Sequence, residues 1–504
     1  MSTTVREKDE KSPTCCGTCG CRTAVAVDPR LSAQVKAFLD DPHRAVSLIE
    51  TFGSPLNLVF PQQPVENLRA FERVLADRLV SGRVLCTSKP NRSRAFLSSL
   101  AHAGACVDVS SRRALAEALA SGIPGDRIQA TGPKTLEYLA LAVAHSSYVT
   151  VDNPAELQML QSVRSAVPSA EPAKALIRIR ARRTAFRANQ EIQPTFGSTE
   201  SEVGEILATL SAQKKHIAVR GFHFHIHGAT NVERRDTFEV AFSALRRARQ
   251  LALNPEIINI GGGYKIRYAE SDQQWERFNE YLKRAVRSET KPITWQNDGL
   301  GYRLDSRGVT GAPQFTDHAP RSYGPAELAE LLAMPCSQLD DQPIERIVSD
   351  AMVQLWVEPG RAIFDQSGIT LARVSHTTQS EGERPLVRLE MNQSNLRSSQ
   401  QKLITQPLAF PRQPRKTNLQ GMFLVGNLCV AQDLLQPNAV YPGFIPEHGD
   451  VFAFINTAPY LMDFMESEML LQPTARKVAV LRSGSSWKTI LDDEFSAVHF
   501  ALER

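Results

Sequence analysis

The sequence has no apolar run of eighteen or more residues, so no membrane-crossing helix is expected. It has no marked excess of either charge: 58 Lys plus Arg stand against 54 Asp plus Glu, a net of +4. That balance argues against a partner held by bulk electrostatics, nucleic acid above all. Aromatic residues are few, at 7%, yet apolar residues reach 42%, too many for a chain that cannot collapse. The opening MSTTVREKDEKSPT is polar and lacks an apolar core, so no secretory signal is read there. What remains is 504 residues, enough for one large core and a smaller second one. A soluble, cytoplasmic protein with neither membrane nor nucleic acid as partner is the expectation.

Cysteines spaced for disulfides are also missing. Cys86, Cys106, Cys336 and Cys429 are scattered, as free thiols in a reducing compartment would be. The other four, Cys15, Cys16, Cys19 and Cys21, crowd into CCGTCGC. Adjacent cysteines do not easily reach one tetrahedral ion, and no histidine or second Cys pair follows nearby. A flexible Cys-rich tail over 1–28 is therefore preferred to a zinc or redox site.

Beyond the tail, PRLSAQVKAFLDDPHRAVSLIETFG has helical spacing closed by Gly53, and LNLVF (56–60) reads as a strand. A regular alternation follows. Strand-like runs are VLCTSK (84–89), ACVDVS (105–110), RIQATG (127–132), YVTVD (148–152), ALIRIR (175–180), IAVRGFHFH (217–225), EIINIG (256–261) and VQLWVEPG (353–360). Segments with helical spacing lie between most of them. The clearest is 232–253, where Phe238, Phe242, Leu245, Ala248 and Ala252 share a face. Eight such units favour a closed (β/α)8 barrel, although alternation alone would also suit a doubly wound sheet. The stretch 291–350, with NDGLGYRLDSRGVTGAPQ, is too long for an ordinary connection and reads as an insertion or lid. After about residue 368, ITLARVSH, PLVRLEM, GMFLVG and DVFAFIN alternate with Pro/Gly turns, which predicts a separate β domain. The expected division is a segment 29–61, a barrel over 62–368 and a β domain over 369–504.

Polar residues cluster at the ends of the expected strands. Gly261–Gly263 directly follow the apolar IINI, and three glycines there let backbone N–H groups approach a phosphate, unless the run is only a tight loop. Lys89 finishes the first strand, Asp108 the second and His225 the sixth, while Glu358 and Arg361 close the eighth. A lysine at the end of an apolar strand fits Schiff-base chemistry, or a rim ion pair with Asp108. Alternation sends His223, His225 and His227 to one face, which admits a metal site, although structural roles suit His223 and His227 better. Glu358 also reads as a plain ion-pair partner of Arg361.

In order along the chain, CTSKPN, ACVDVSS, TGP, GFHFHIHG, INIGGGY, EPGRA, GNLCVAQD and NTAPY resemble the motifs of the fold type III pyridoxal-phosphate decarboxylases. This is the ornithine/diaminopimelate/arginine decarboxylase group, and the likeness runs from about Phe52 to about Tyr460. It implies an alanine-racemase-like barrel with a β domain completed by an N-terminal strand, and pyridoxal 5'-phosphate as cofactor. Lys89 resembles the lysine that holds the cofactor as an internal aldimine, and Glu358 the carboxylate that faces the pyridine nitrogen. Gly261, Gly262, Gly263, Arg361 and Tyr460 resemble the phosphate ligands, and His225 the histidine on the ring face, which leaves no metal to expect. Asp108 and Arg178 fall on the cofactor side, Arg178 near the phenolic oxygen. Cys429 resembles a cysteine that a partner subunit supplies to protonate Cα, which implies a head-to-tail homodimer with shared sites.

The departures bear on substrate. Where diamine-forming relatives carry an acid after this cysteine there is Val430, which cannot neutralise a distal ammonium, though Asp433 stands near in sequence. His227–Gly228 replaces a Gly-Ser, Thr195–Phe196–Gly197 a Lys-Phe-Gly, and Glu390–Met391–Asn392 an Asp-Ala-Gly. RIRARR (178–183) and the basic 397–415 stretch hint at an anionic or carrier-bound amino acid, unless they are merely solvated faces. The expected function is decarboxylation of an amino acid or derivative that is not a simple diamine precursor. Racemisation or other Cα chemistry is one alternative, and a catalytically silent homologue that binds a partner is another.

Overall fold

A computed structural model describes residues 25–167, 171–180, 195–212, 216–226, 228–398, 402–496 and 498–501. The cysteine cluster at 15–21, His227 and the second half of the RIRARR run (181–183) lie outside them. Eight parallel strands close into a barrel: Gly82–Thr87, Cys106–Val109, Ile128–Ala130, Tyr148–Val151, Ala173–Arg178, Ile217–His223, Ile257–Asn259 and Gln354–Val357. The last pairs with the first, Leu355 opposite Gly82, so no edge is left open. All eight expected strands are present.

Side chains alternate between the barrel interior and the helical layer because a strand has a period of two. Leu85, Tyr148, Leu176, Ile257 and Trp356 form one buried apolar cluster inside the barrel. Two residues further along their strands stand Thr87, Thr150, Arg178, Asn259 and Glu358. The same alternation therefore puts an apolar layer below a polar one, and the polar one lies at the C-terminal mouth. The outward residues, such as Val107, Val109, Val149, Val151, Ile258 and Ile260, join the large core shared with the helices.

The helix Asn231–Gln250 shows why these segments become helices. Thr230 and Glu233 form a reciprocal capping box, and Phe238, Phe242, Leu245 and Ala248 are buried on one side. Burying each aromatic side chain contributes about 1.5–3 kcal/mol. Ala252, expected on that face, lies beyond the helix in a left-handed conformation (φ 55°).

The second sheet gathers strands distant in sequence. Leu56–Val59 runs antiparallel to the strand Gly368–Thr378 and parallel to Arg476–Ser483, so the N-terminal strand does complete the C-terminal sheet. Helices Ala33–Leu39 and Pro42–Phe52 cover it, burying Phe38, Val46 and Ile49 against Leu371 and Val480. Residues from Val25 onward, inside the expected tail, are held: Gln406 N–H donates to Val27 O at 2.8 Å, and Val27 is buried. Within 291–350 only the first half stands apart from the barrel pattern. Its hairpin pairs Tyr302–Asp305 with Gly308–Gly311, and Ile293 and Leu300 pack on Trp275 and Phe278. Helices Pro325–Leu332 and Ile344–Asp350 instead bury Leu328, Leu331, Ile347 and Val348 in the main core.

Candidate active site

The polar layer at the mouth centres on Glu358, one residue past the eighth strand and 6% exposed. Its Oε1 accepts from Gln129 Nε2 at 2.9 Å and Asn259 Nδ2 at 2.8 Å, and Asn259 also reaches Gln129 Oε1 at 2.8 Å. Burial lifts the Glu358 carboxyl from 4.5 to about 7, against the two amides and the charges of Arg178 and Lys89. Asp108, on the second strand, accepts from Thr131 Oγ1 at 2.6 Å. Burial and the charge of Glu358 raise it to about 7 as well. His223 sits beside them, its Nε2 3.3 Å from Glu358 Oε1, with neither ring nitrogen in a hydrogen bond. Burial holds its pKa down to about 3, so the imidazole is neutral.

Lys89 lies two residues past the first strand, in a turn whose geometry is fixed twice. Its N–H donates to Thr87 Oγ1 at 3.3 Å, and the next carbonyl, Pro90 O, accepts from Tyr460 N–H at 3.0 Å. Tyr460 adopts φ 73° to make that contact, which brings a residue of the C-terminal part to the barrel mouth. Its ring lies under the Arg361 guanidinium, 5.1 Å from the centroid, and burial raises its phenol pKa despite that cation. Arg361 Nη1 also meets Tyr268 OH at 3.5 Å.

The glycine turn completes the basic side. Gly261 has φ 67°, and its N–H donates to Asn259 Oδ1 at 2.8 Å. A Cβ on Gly262 would stand 2.2 Å from Glu358 O, so only glycine fits between the seventh and eighth strand ends. Gly262 N–H donates to His225 Nδ1 at 3.1 Å, which places the neutral ring's proton on Nε2. His225 itself follows the sixth strand rather than ending it, because the strand stops at His223. Arg178 Nη1 stands 3.8 Å from Asp152 Oδ1, with its guanidinium 4.8 Å from the Phe196 centroid.

Not every expected site residue joins this mouth. Cys429 and Val430 are exposed on the loop 426–433 of the C-terminal part. Asp433 does not face outward to meet a distal ammonium. It is 3% exposed, and its carboxylate accepts the N–H groups of Leu428 and Gln393, at 2.8 and 2.9 Å, clamping its own loop. Glu390, in the motif that departs from Asp-Ala-Gly, is taken by Arg373 at 2.7 Å. Among the described residues, no three His, Cys, Asp or Glu side chains are grouped to hold a metal ion, and no helix is long and apolar enough to cross a membrane. Gln129 and Asn259 are site neighbours that motif reading passes over, and His223, given a structural role in the sequence, joins them. Their one sequence signal is a polar residue at an inward position of an apolar strand.

A closed barrel whose mouth joins a buried carboxyl, a lysine turn, a glycine loop and an arginine, beside a sheet domain, has the architecture of the alanine-racemase-like barrels. Comparison with known proteins agrees. Residues 65–295 match the pyridoxal-binding domain of the pyridoxal-dependent decarboxylases. The uncharacterised protein y4yA of Sinorhizobium fredii is 25% identical over 88% of this chain and 92% of its own length. Diaminopimelate decarboxylase of Staphylococcus aureus is 21% identical over 82% of this chain and 86% of its own. The crystal structure of diaminopimelate decarboxylase from M. jannaschii superposes with a TM-score of 0.64 at 18% identity, covering 89% of this chain and 91% of that one. The chain is thus similar, at low identity, to the fold type III pyridoxal-phosphate decarboxylases, and the pyridoxal-binding domain that it matches makes pyridoxal 5'-phosphate its cofactor.

The residues present fit that cofactor. The acidic end offers a buried carboxyl and an imidazole lacking hydrogen-bond partners, suited to an aromatic nitrogen cation and its ring. The mouth also offers a glycine turn with no room for a Cβ, a guanidinium and a phenol, suited to a phosphate dianion.

Proposed function

We propose that the protein decarboxylates an amino acid or amino-acid derivative that carries no free distal ammonium. The observation that carries this reading is the mouth itself, where Glu358, the Lys89 turn, Gly262 and the Arg361–Tyr460 pair meet at one end of one barrel. When bound, pyridoxal phosphate supplies a sink for the electron pair left as CO2 departs. Lys89 Nζ would hold the cofactor covalently, and Glu358 would keep a proton on the pyridine nitrogen. Gly261–Gly263, Arg361 and Tyr460 would hold the phosphate. His225, oriented by Gly262 N–H, would cover a ring face, with Asp108 and Arg178 on the cofactor side. Cys429 Sγ would return a proton to Cα.

Because Cys429 is exposed on its own chain, this last role needs a second copy, and we read the protein as a homodimer with shared sites. The substrate reading is supported by the commitment of Asp433 to its loop and of Glu390 to Arg373, which leaves Val430 beside the cysteine with neither acid to offer. The working division places 29–61 with the β domain 369–504, around a barrel spanning 62–368.

The test is a visible absorption spectrum of the purified protein before and after a panel of amino acids. The expected result is an absorption band in the violet, seen as a yellow colour, that shifts with one class of amino acid. Borohydride should trap the cofactor on Lys89, and Lys89→Ala should abolish trapping. A protein that stays colourless with added pyridoxal phosphate would refute the proposal, and trapping on another lysine would refute the role of Lys89.

A further inference from the structure

Lys134 and Glu156 are buried charges that the proposed chemistry does not use. Lys134 follows the third barrel strand, its side chain 1% exposed, and Nζ donates to Glu156 Oε1 and Oε2 at 3.1 and 3.0 Å and to Gly132 O at 2.7 Å. Burying such a pair is seldom stabilising by itself, because desolvation rivals the attraction and an apolar pair often serves as well. The other contacts show where the pair leads. Glu156 Oε2 also accepts Asp152 N–H at 2.8 Å, which fixes the loop after the fourth strand. Asp152 Oδ1 accepts Gly197 N–H at 2.9 Å and stands 3.8 Å from Arg178 Nη1, while Asp152 O accepts from Ser198 Oγ at 3.0 Å.

Arg178 is thus held between Asp152 and the Phe196 ring, and both positions depend on the loop that Glu156 fixes. Its charge in turn acts on Glu358, Asp108 and His223. The signs alternate along the line: Lys134 positive, Glu156 and Asp152 negative, Arg178 positive, then the two acids. Three consecutive loops of the mouth are joined this way.

We infer that Lys134 is a positioning residue for Arg178, acting through Glu156 and Asp152 to fix the guanidinium that faces the acidic end of the cofactor site. Lys134 itself does not touch the cofactor. The inference rests on the reading of Arg178 as a cofactor-side group.

A double-mutant cycle tests it, using Lys134→Met, Arg178→Met and the pair together. The readouts are the pyridoxal-phosphate dissociation constant, from quenching of tryptophan fluorescence, and the pH midpoint of the visible band. Lys134→Met should weaken binding about tenfold and move the midpoint, yet add little once Arg178 is already Met. Additive losses with an unmoved midpoint would overturn the inference, since they would mean that Lys134 serves the fold alone. Where Lys134→Met fails to fold, Lys134→Met with Glu156→Leu removes both charges and keeps the volume. That variant should fold but bind the cofactor as weakly as Arg178→Met, and wild-type affinity in it would equally overturn the inference. A wild-type protein that takes up no cofactor would refute the proposed function and this assignment together, whereas uptake with an additive cycle would refute this assignment alone.

Discussion

Glu358 is the side chain whose ionisation the fold controls most directly, because closing the barrel removes it from water and gives it two amides on one oxygen. Its folded pKa, about 7 against 4.5, means that the native state binds the proton more tightly than the unfolded chain does. Its contribution to stability is therefore whole below pH 4.5, shrinks as pH rises and is lost by about pH 7. At 1.36 kcal/mol per unit the swing is at most about 3 kcal/mol. Asp108 moves in the same direction. His223 moves oppositely: lowered from 6.5 to about 3, it favours the native state more as pH rises through that window. The wild-type profile sums opposed slopes, so the informative quantity is a difference. Apo Glu358→Gln should gain stability relative to wild type between pH 4.5 and about 7 in urea unfolding. A difference that does not change with pH would mean that Glu358 is ionised throughout.

At the scale of elements, the site depends on how closely the seventh and eighth strand ends approach. Gly262→Ala would drive a methyl into Glu358 O, and overpacking of this kind costs about 1–3 kcal/mol. Cofactor affinity should fall roughly 5- to 150-fold in a fluorescence titration. Gly484→Ala, at a turn with a left-handed φ of 59° and nothing within 4 Å, should leave it unchanged. Equal effects at both positions would mean that the close approach to Glu358 O is not what sets cofactor affinity. The same contact explains what the sequence could and could not convey. Each barrel strand was legible because its residues alternate between two apolar environments, and Lys89, Glu358 and the glycines because they interrupt that alternation at strand ends. Gln129 and Asn259 were not, since nothing local says that they meet Glu358 across a closed barrel. The hairpin of Arg476–Ser483 and Ser486–Leu491 was also missed. Ser486, Trp487, Lys488 and Thr489 are not buried, so its second strand carries little apolar periodicity.

At the scale of the whole molecule, the loop 426–433 is tied down on its inner side while Cys429 and Val430 face outward. Asp433 clamps it from below, Arg388 donates to Gly426 O, and Asn427 Nδ2 reaches Gln472 Oε1 at 3.0 Å. Beyond it Phe464, Met465, Met469, Leu470 and Leu471 are exposed, a grouping of apolar side chains that single chains seldom leave in water. A head-to-tail pairing, in which this face of each copy meets the barrel mouth of the other, would cover the apolar group and carry each Cys429 to the other copy's barrel. The reading makes a quantitative demand. Lys89→Ala and Cys429→Ala should each be nearly inactive, by about 100-fold or more for loss of the proton donor. Mixed after dissociation and reassociation, half of the dimers become hybrids with one intact site of two, so about a quarter of wild-type activity should return. Recovery requires that Lys89 and Cys429 of one site come from different chains. If activity stays at the level of the separate variants while hybrids are shown to form, then both residues of a site belong to one chain, and the exposed cysteine has another use.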